Sequence, residues 1–261
     1  MKRFLLSFFV LLTHSGILLA QVRYEKLVIK PHEIYEIANT DILVADTLIM
    51  MDSSRIKLNQ LRRENYIRVQ VAFIGNECFI EGHGINGSAG RNGRDGMVPQ
   101  GPCQDGELAR NGSKGLDGGS GQSLFLYFDE LYLRGKFYVD LSGGNGGNGG
   151  NGGNGGGGSS GTIHCKGGNG GNGGNGGAGG NGGKGGLLNI NCLRCPDVRG
   201  LMSKHLVFRG GGGHFGFGGR KGYAGPPGLS PNNKNGTKGM SGADGPNGKP
   251  GEKGVLNFEI N

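Results

Sequence analysis

Five cysteines, a few histidines and a small set of carboxylates are the residues through which this chain could do covalent, metal or acid–base chemistry. Cys192 and Cys195 form "CLRCP". A redox pair at this spacing needs a helix N-terminus to hold its thiolate, and this motif follows a strand-like run. A zinc site needs two more ligands, and Cys78 with His205 is the only arguable pair. A structural disulfide is therefore expected, either Cys192–Cys195 or from one of them to Cys78. His164 beside Cys165 lacks the third group that would orient a nucleophilic pair. Asp129, Glu130 and Asp140 are the only neighbouring carboxylates suited to glycoside cleavage, and no two share a clear face. Asparagines recur at a period of three, whereas a calcium-binding repeat needs Asp at a period of nine. The expectation is no enzyme, no metal and no cofactor.

Other candidates are surface residues. Asn86, Asn111 and Asn235 each open an Asn-Gly-Ser/Thr sequence, a glycosylation acceptor where the machinery exists. Phe215, Phe217 and Tyr223, in "GGHFGFGGRKGYAG", either cover the flank of a glycine-rich region or form a sugar-stacking or ice-facing surface.

The elements that position these residues are of two kinds. Segments 41–60, 65–82, 123–141, 187–208 and 255–260 alternate apolar and polar residues and are rich in Val, Ile, Leu, Phe and Tyr, which predicts strands. Three repeat one plan of strand, break, strand and then glycine, which predicts stacked rungs of a short parallel β-solenoid rather than a β-sandwich. Between the rungs, 59 of the 61 glycines fall within residues 82–254. They form three tracts, about 83–122, 143–186 and 210–254. Each has an outgoing arm, a tip of other residues ("MVPQGPCQD", "SSGTIHCK", "PPGLSPNNKN") and a returning arm.

The period of three matches the polyproline II helix, in which every third residue lies on one edge. Gly-Gly-Asn leaves two edges bare, so neighbouring backbones can approach on two sides. Tract two is Gly-Gly-X almost throughout and belongs in the middle, with Asn pointing outward. Tracts one and three are mostly Gly-X-Y and belong outside, with Arg91, Arg94, Lys238 and Lys253 facing water. Adjacent hairpins of similar length bring their tips together, which predicts a Cys103–Cys165 disulfide.

Antiparallel Gly-Gly-X and Gly-X-Y arms over residues 82–254 resemble the glycine-rich polyproline II bundle of snow-flea antifreeze protein and that at the tip of some phage tail adhesins. "GPNGKPGEKG" also resembles bacterial collagen-like proteins. The resemblance implies a disulfide-stabilised bundle over residues 82–254; together with the strand segments, the expectation is an all-β unit over residues 21–261 in which a solenoid carries three hairpins.

The opening "MKRFLLSFFVLLTHSGILLAQ" reads as a signal peptide over 1–20, with Lys2 and Arg3 before the apolar run Phe4 to Leu12 and a small residue at Ala20. No later stretch is apolar enough to span a bilayer. The formal charge of +8 is spread along the chain, so nucleic acid is not an expected partner. In an oxidising compartment some cysteines pair, leaving one thiol over or bonded to another chain, so a monomer or a disulfide-linked oligomer is expected. Rigid arms presenting irregular loops suit a secreted or cell-surface adhesion protein that recognises a glycan or receptor. Its candidate binding residues are Pro99, Gln100, Thr162, His164, Asn232 and Lys234. The alternatives are ice or surface binding by the Asn ladder, and a carbohydrate-active enzyme.

Overall fold

The computed structural model describes residues 23–37, 42–195 and 198–260; the expected signal peptide lies outside them. The described chain is all-β apart from one short helix. Strands β1 (Arg23–Ile29), β3 (Ile42–Met50), β5 (Glu64–Ile74), β7 (Ser123–Leu133), β9 (Leu187–Cys192) and β11 (Val255–Ile260) make a six-stranded sheet in that order. Strands β2 (Ile34–Glu36), β4 (Arg55–Lys57), β6 (Cys78–Glu81), β8 (Phe137–Asp140) and β10 (Leu206–Arg209) make a five-stranded sheet, ordered by chain position. Every pair is parallel, and successive strands alternate between the sheets.

In-register parallel pairing stacks like on like. The inward column Leu43, Ile67, Leu126 and Ile190 runs across the large sheet, and Ile56, Ile80 and Val139 run across the small one. These residues are almost wholly buried, each contributing about 1.5–3 kcal/mol. The inward alternation slips once in three strands: Ala45 to Leu48, Val69 to Ala72 and Phe128 to Leu131. Two residues in a row then face out, and the strands bend together at one height. Outside, register stacks rings in pairs, Tyr66 on Phe125, Phe73 on Tyr132 and Phe79 on Tyr138, with centroids 4.9, 5.0 and 4.6 Å apart. Offset stacking of this kind adds about 0.5–1.5 kcal/mol per pair.

The tight turns between the sheets repeat a device. His32, Ser53 and Glu77 each take positive φ (61°, 59° and 54°) to reverse the chain. Asp52 Oδ1 accepts the Asn76 N–H at 2.8 Å, and Asn76 Oδ1 accepts the Lys136 N–H at 3.0 Å, tying each turn to the next. At the opposite corner Asn59, Asn65 and Gln122 form a buried polar cluster. There the Gln122 side chain donates to Asn59 O at 2.6 Å.

The glycine tracts leave from the ends of β6, β8 and β10 and return into β7, β9 and β11. The hydrogen bonding runs on without a gap from strand to arm: Gly82 N–H donates to Asp140 O, Gly84 to Ser142 O and Gly87 to Asn145 O. The three outgoing arms lie parallel side by side, and so do the three returning arms. The layers are joined by antiparallel bonds, such as Gly147 N–H to Leu116 O and Gly180 N–H to Gly147 O, both 2.8 Å. Tract two lies between the others and bonds to both.

No described glycine has positive φ. Glycine is required here for its size rather than for its freedom of rotation. A Cβ on Gly150 would overlap the Arg91 carbonyl, one on Gly147 the Ser88 carbonyl and one on Gly177 the Ser113 carbonyl, all well inside 3.0 Å. Gly211, with nothing within 4 Å, is an exception.

Two features differ from the sequence expectation. A turn of strands, β1 and β2, precedes residue 41. The segment 187–208, expected to be two strands across a break, contains a helix, α1 (Val198–His205), between β9 and β10. "CPDV" places Pro196 and Asp197 just ahead of it in the sequence, a recognised helix-start pattern.

Candidate functional site: the arm faces and the tips

One N–H in three along the arms goes to a side chain rather than to backbone wherever the preceding arm carries Asn or Asp at that level. Asn145, Asn148, Asn151 and Asn154 use their Oδ1 atoms to accept the N–H groups of His214, Phe217, Arg220 and Tyr223, each at 2.9 Å. Asn86 and Asn92 do the same for Asn145 and Asn151 at 2.8 Å, and Asp95 for Asn154 at 2.6 Å. Rows of side chains thus cross all three outgoing arms, as in Asn92–Asn151–Arg220 and Asp95–Asn154–Tyr223. The returning arms carry equivalent rows, as in Asn111–Asn175–Ala243 and Asp117–Asn181–Lys249. The expectation that Asn points outward is thereby refined. These asparagines of tract two's outgoing arm are exposed, but their carbonyl oxygens bind the next arm.

Two of the three replacements of Asn in the Gly-Gly-X runs of tract two follow the same rule, the third being Lys184 opposite Glu252. Gly157 and Ala178 replace Asn in tract two, and the residues opposite them are Pro226 and Pro246. Proline has no N–H to donate, so no acceptor is needed. This pairing between distant positions was present in the sequence and is its clearest overlooked signal. Two sequon asparagines, Asn86 and Asn111, are row acceptors, and Asn235 Oδ1 accepts the Ser230 N–H at 2.8 Å in tip three.

The tips meet at the far end of the arms. Cys103 and Cys165 are at disulfide distance, with Cα atoms 6.1 Å apart. The Cys103 N–H donates to Ser160 O at 2.8 Å. Backbone bonds join tip three to tip two, the Gly161 N–H to Leu229 O at 2.8 Å and the Gly167 N–H to Lys234 O at 2.9 Å, and the Ser230 hydroxyl lies 3.3 Å from both Thr162 O and Cys165 O. Of the six candidate binding residues, Thr162 and Asn232 serve the turns. Thr162 Oγ1 lies 3.2 Å from Cys165 Sγ and accepts the His164 N–H, while Asn232 Oδ1 accepts the Ser230 hydroxyl and the Lys234 N–H. Gln100, His164 and Lys234 are exposed and Pro99 half-exposed. Around them stand Val98 (61% exposed), Ile163 (72%) and Leu229 (69%). A groove of about 440 Å³ runs between tips one and two, lined by Pro99, Gln100, Pro102 and Ser160.

Comparison with protein-family models, curated proteins and solved structures finds no match for this chain.

The residues with catalytic or metal-binding potential are not assembled. Asp129 and Glu130 sit at the bend of β7 in the large sheet, where Glu130 meets Arg194 at 3.2 Å; Asp140 ends β8 in the small sheet and accepts the Ser142 hydroxyl at 2.7 Å. Cys192 and Cys195 are at disulfide distance, Cα atoms 5.8 Å apart. Cys78 is a buried free thiol that donates to Met51 O at 3.2 Å, and burial raises its pKa. His205 Nδ1 lies 3.0 Å from Gly135 O. Among the described residues no three His, Cys, Asp or Glu side chains could share a metal, and no helix is long and apolar enough to cross a membrane. Phe217 (62% exposed) and Tyr223 (70%) stand out from the outer arm rather than covering its flank.

Proposed function

We propose that this chain is an exported, non-catalytic adhesion protein. In this reading a parallel β-solenoid displays a bundle of three polyproline II hairpins, and the joined tips recognise a surface glycan or receptor. Three features support the architecture: chain-ordered parallel pairing in both sheets, arm hydrogen bonds at every third residue, and the absence of positive φ among the glycines. The observation that carries the function is the tying of all three tips into one end, by the Cys103–Cys165 pair and by the backbone bonds of Gly161 to Leu229 and Gly167 to Lys234, while Gln100, His164, Lys234 and several apolar side chains stay exposed. Irregular loops on a rigid scaffold are where recognition commonly lies. Two cysteine pairs fit an oxidising destination.

Ice or surface binding by the regular rows is the second reading, favoured by their constant three-residue spacing. A carbohydrate-active enzyme finds little support, because Asp140 and the pair Asp129 and Glu130 belong to different sheets. The deciding experiment is a pulldown on glycans and whole cells with the natural chain and with chains whose tips are exchanged but keep Cys103, Cys165 and Ser230. Adhesion predicts that tip exchange changes the target. Recrystallisation inhibition that survives the exchange would instead establish ice binding. Hydrolytic activity lost in Asp129→Asn or Asp140→Asn would establish the enzyme.

A further inference from the structure

We infer that the outer face of the three outgoing arms is a second binding surface, fitted to a linear, anionic polysaccharide. The inference extends the recognition reading above from the tips to the flank of the bundle.

The donor chemistry of that face is fixed by its own hydrogen bonds. Because Oδ1 of Asn145, Asn148, Asn151 and Asn154 is occupied by a backbone N–H, each amide is held in one orientation, and the group left outward is Nδ2. An amide nitrogen donates and cannot accept. Asn86 and Asn92 are held in the same way. The middle arm therefore carries pre-oriented donors at every third residue, about 9 Å apart, and the first arm adds those of Asn86 and Asn92. A ligand rich in hydroxyl, ether and carboxylate oxygens supplies the matching acceptors, and fixed donors lose little entropy on binding it.

Beside the amides, the third arm alternates rings and basic side chains: His214, Phe217, Arg220 and Tyr223. Phe217 and Tyr223 are well exposed, at 62% and 70%. Sugar rings present C–H faces that lie flat against aromatic rings, and Arg220 complements an acidic sugar. The two rows Asn92–Asn151–Arg220 and Asp95–Asn154–Tyr223 enclose a concavity of about 430 Å³, which Lys221 also lines. Asp95 is its one acidic side chain, and Asp95 Oδ1 is taken by the Asn154 N–H. Nucleic acid fits less well. Its binding rests on neutralising many phosphates, and Arg220 and Lys221 are the only cations lining this concavity.

The returning face is a built-in control. There Nδ2 of Asn169 and Asn181 is turned to Asp105 and Asp117, at 3.2 and 3.4 Å. Its third arm ends the rows with Thr237, Met240, Ala243, Pro246 and Lys249, without an aromatic ring. The two faces share one backbone plan and differ in the groups they present.

The test measures binding of the full chain to polygalacturonate, with dextran as a neutral polymer and oligo-dT as a nucleic-acid competitor. Tyr223→Ala and Arg220→Gln leave the backbone rows intact, and their folding is checked by the melting of the bundle's circular dichroism. Polygalacturonate should bind and dextran should not, with affinity falling as salt rises. Arg220→Gln should weaken binding roughly tenfold, the size expected for losing one hydrogen bond to a charged group, and Tyr223→Ala by a similar factor through the loss of the ring's contact area. Met240→Ala and Lys249→Gln on the returning face should bind as the natural chain does. The inference is overturned by failure of polygalacturonate to bind, by equal losses from variants of the two faces, or by tighter binding of oligo-dT. Tip exchange separates it from the tip reading: exchanged chains should lose the cell target and keep the polysaccharide.

Discussion

Replacing Gly147 with alanine adds a single methyl group, and the structure gives its consequence. Gly147 lies in the middle tract. Its N–H donates to Leu116 O and its own carbonyl accepts the Gly180 N–H, both at 2.8 Å. An added Cβ would fall on the Ser88 carbonyl of the first arm. Restoring ordinary contact requires the two arms to separate by roughly 1 Å. Such a shift breaks or weakens three nearby bonds, those of Gly147 and Gly90 as donors and of Gly180 to the Gly147 carbonyl. At about 1 kcal/mol each, with about 1–3 kcal/mol for overpacking, Gly147→Ala should cost about 4–6 kcal/mol. The control is Gly211→Ala, where the methyl meets nothing within 4 Å and φ is not positive. That change should be neutral or should stabilise by up to about 1 kcal/mol, because alanine restricts the unfolded chain. The assay is thermal unfolding followed by circular dichroism, in which the proposed polyproline II arms should give a signal separate from that of the sheets. Equal melting temperatures for the two variants would refute the close backbone packing on which the bundle rests.

Four further outcomes are expected. Cys103→Ser opens a link spanning 62 residues, a loss of about 4 kcal/mol on the loop-entropy model; the bundle should melt earlier than the sheets, and non-reducing peptide mapping of the natural chain should recover Cys103 and Cys165 in one fragment. Asn148→Ala should cost only about 1 kcal/mol, because the Phe217 N–H it frees can turn to water. Ala178→Asn should gain nothing alone and about 0.5–1.5 kcal/mol when Pro246→Ala restores an N–H opposite it, measured as the coupling in a double-mutant cycle. Asp117 has a pKa held below its usual 3.8, first by the Asn181 N–H it accepts and then by Lys114. Its contribution should be present above pH 3.8 and lost as pH falls through the depressed value, and Asp117→Asn should flatten that part of the acid unfolding curve.

Much of this design could be read from the residues. Strands such as "SLFLYFDELYL" declare themselves by alternation, and the tracts by their division into arms and tips. The first strand pair was hidden because β1 turns Tyr24, Leu27 and Ile29 inward. That spacing of three and then two carries the same slip as β3, β5 and β7, and in a strand of seven residues it leaves no run of alternation long enough to be recognised. Helix α1 was obscured by Gly200 in its middle and by apolar residues at both ends of the segment. The role of Asn was missed for another reason. A period of three shows which edge a residue occupies but not what its side chain bonds to. Only the matched positions Gly157 with Pro226 and Ala178 with Pro246 reveal a contact between arms. The candidate site was legible as a set of tips, while the division between turn-forming Thr162 and Asn232 and freely exposed Gln100, His164 and Lys234 depends on three loops meeting.

The need for glycine by size alone has a consequence for how such a gene can change. Every amino-acid replacement reachable from a glycine codon by one base change adds at least a methyl group. Where a neighbouring carbonyl occupies that space, as at Gly147, Gly150 and Gly177, each such mutation strikes the packing directly. The residues between the glycines can vary without moving the backbone, at the cost of one side-chain bond where an Asn or Asp accepts an N–H of the next arm. Tract two leaves one position in three open to drift, and the outer arms built on Gly-X-Y leave two. Variation in such a molecule should therefore collect on the flanks and tips, and new binding surfaces can arise there on an unaltered frame.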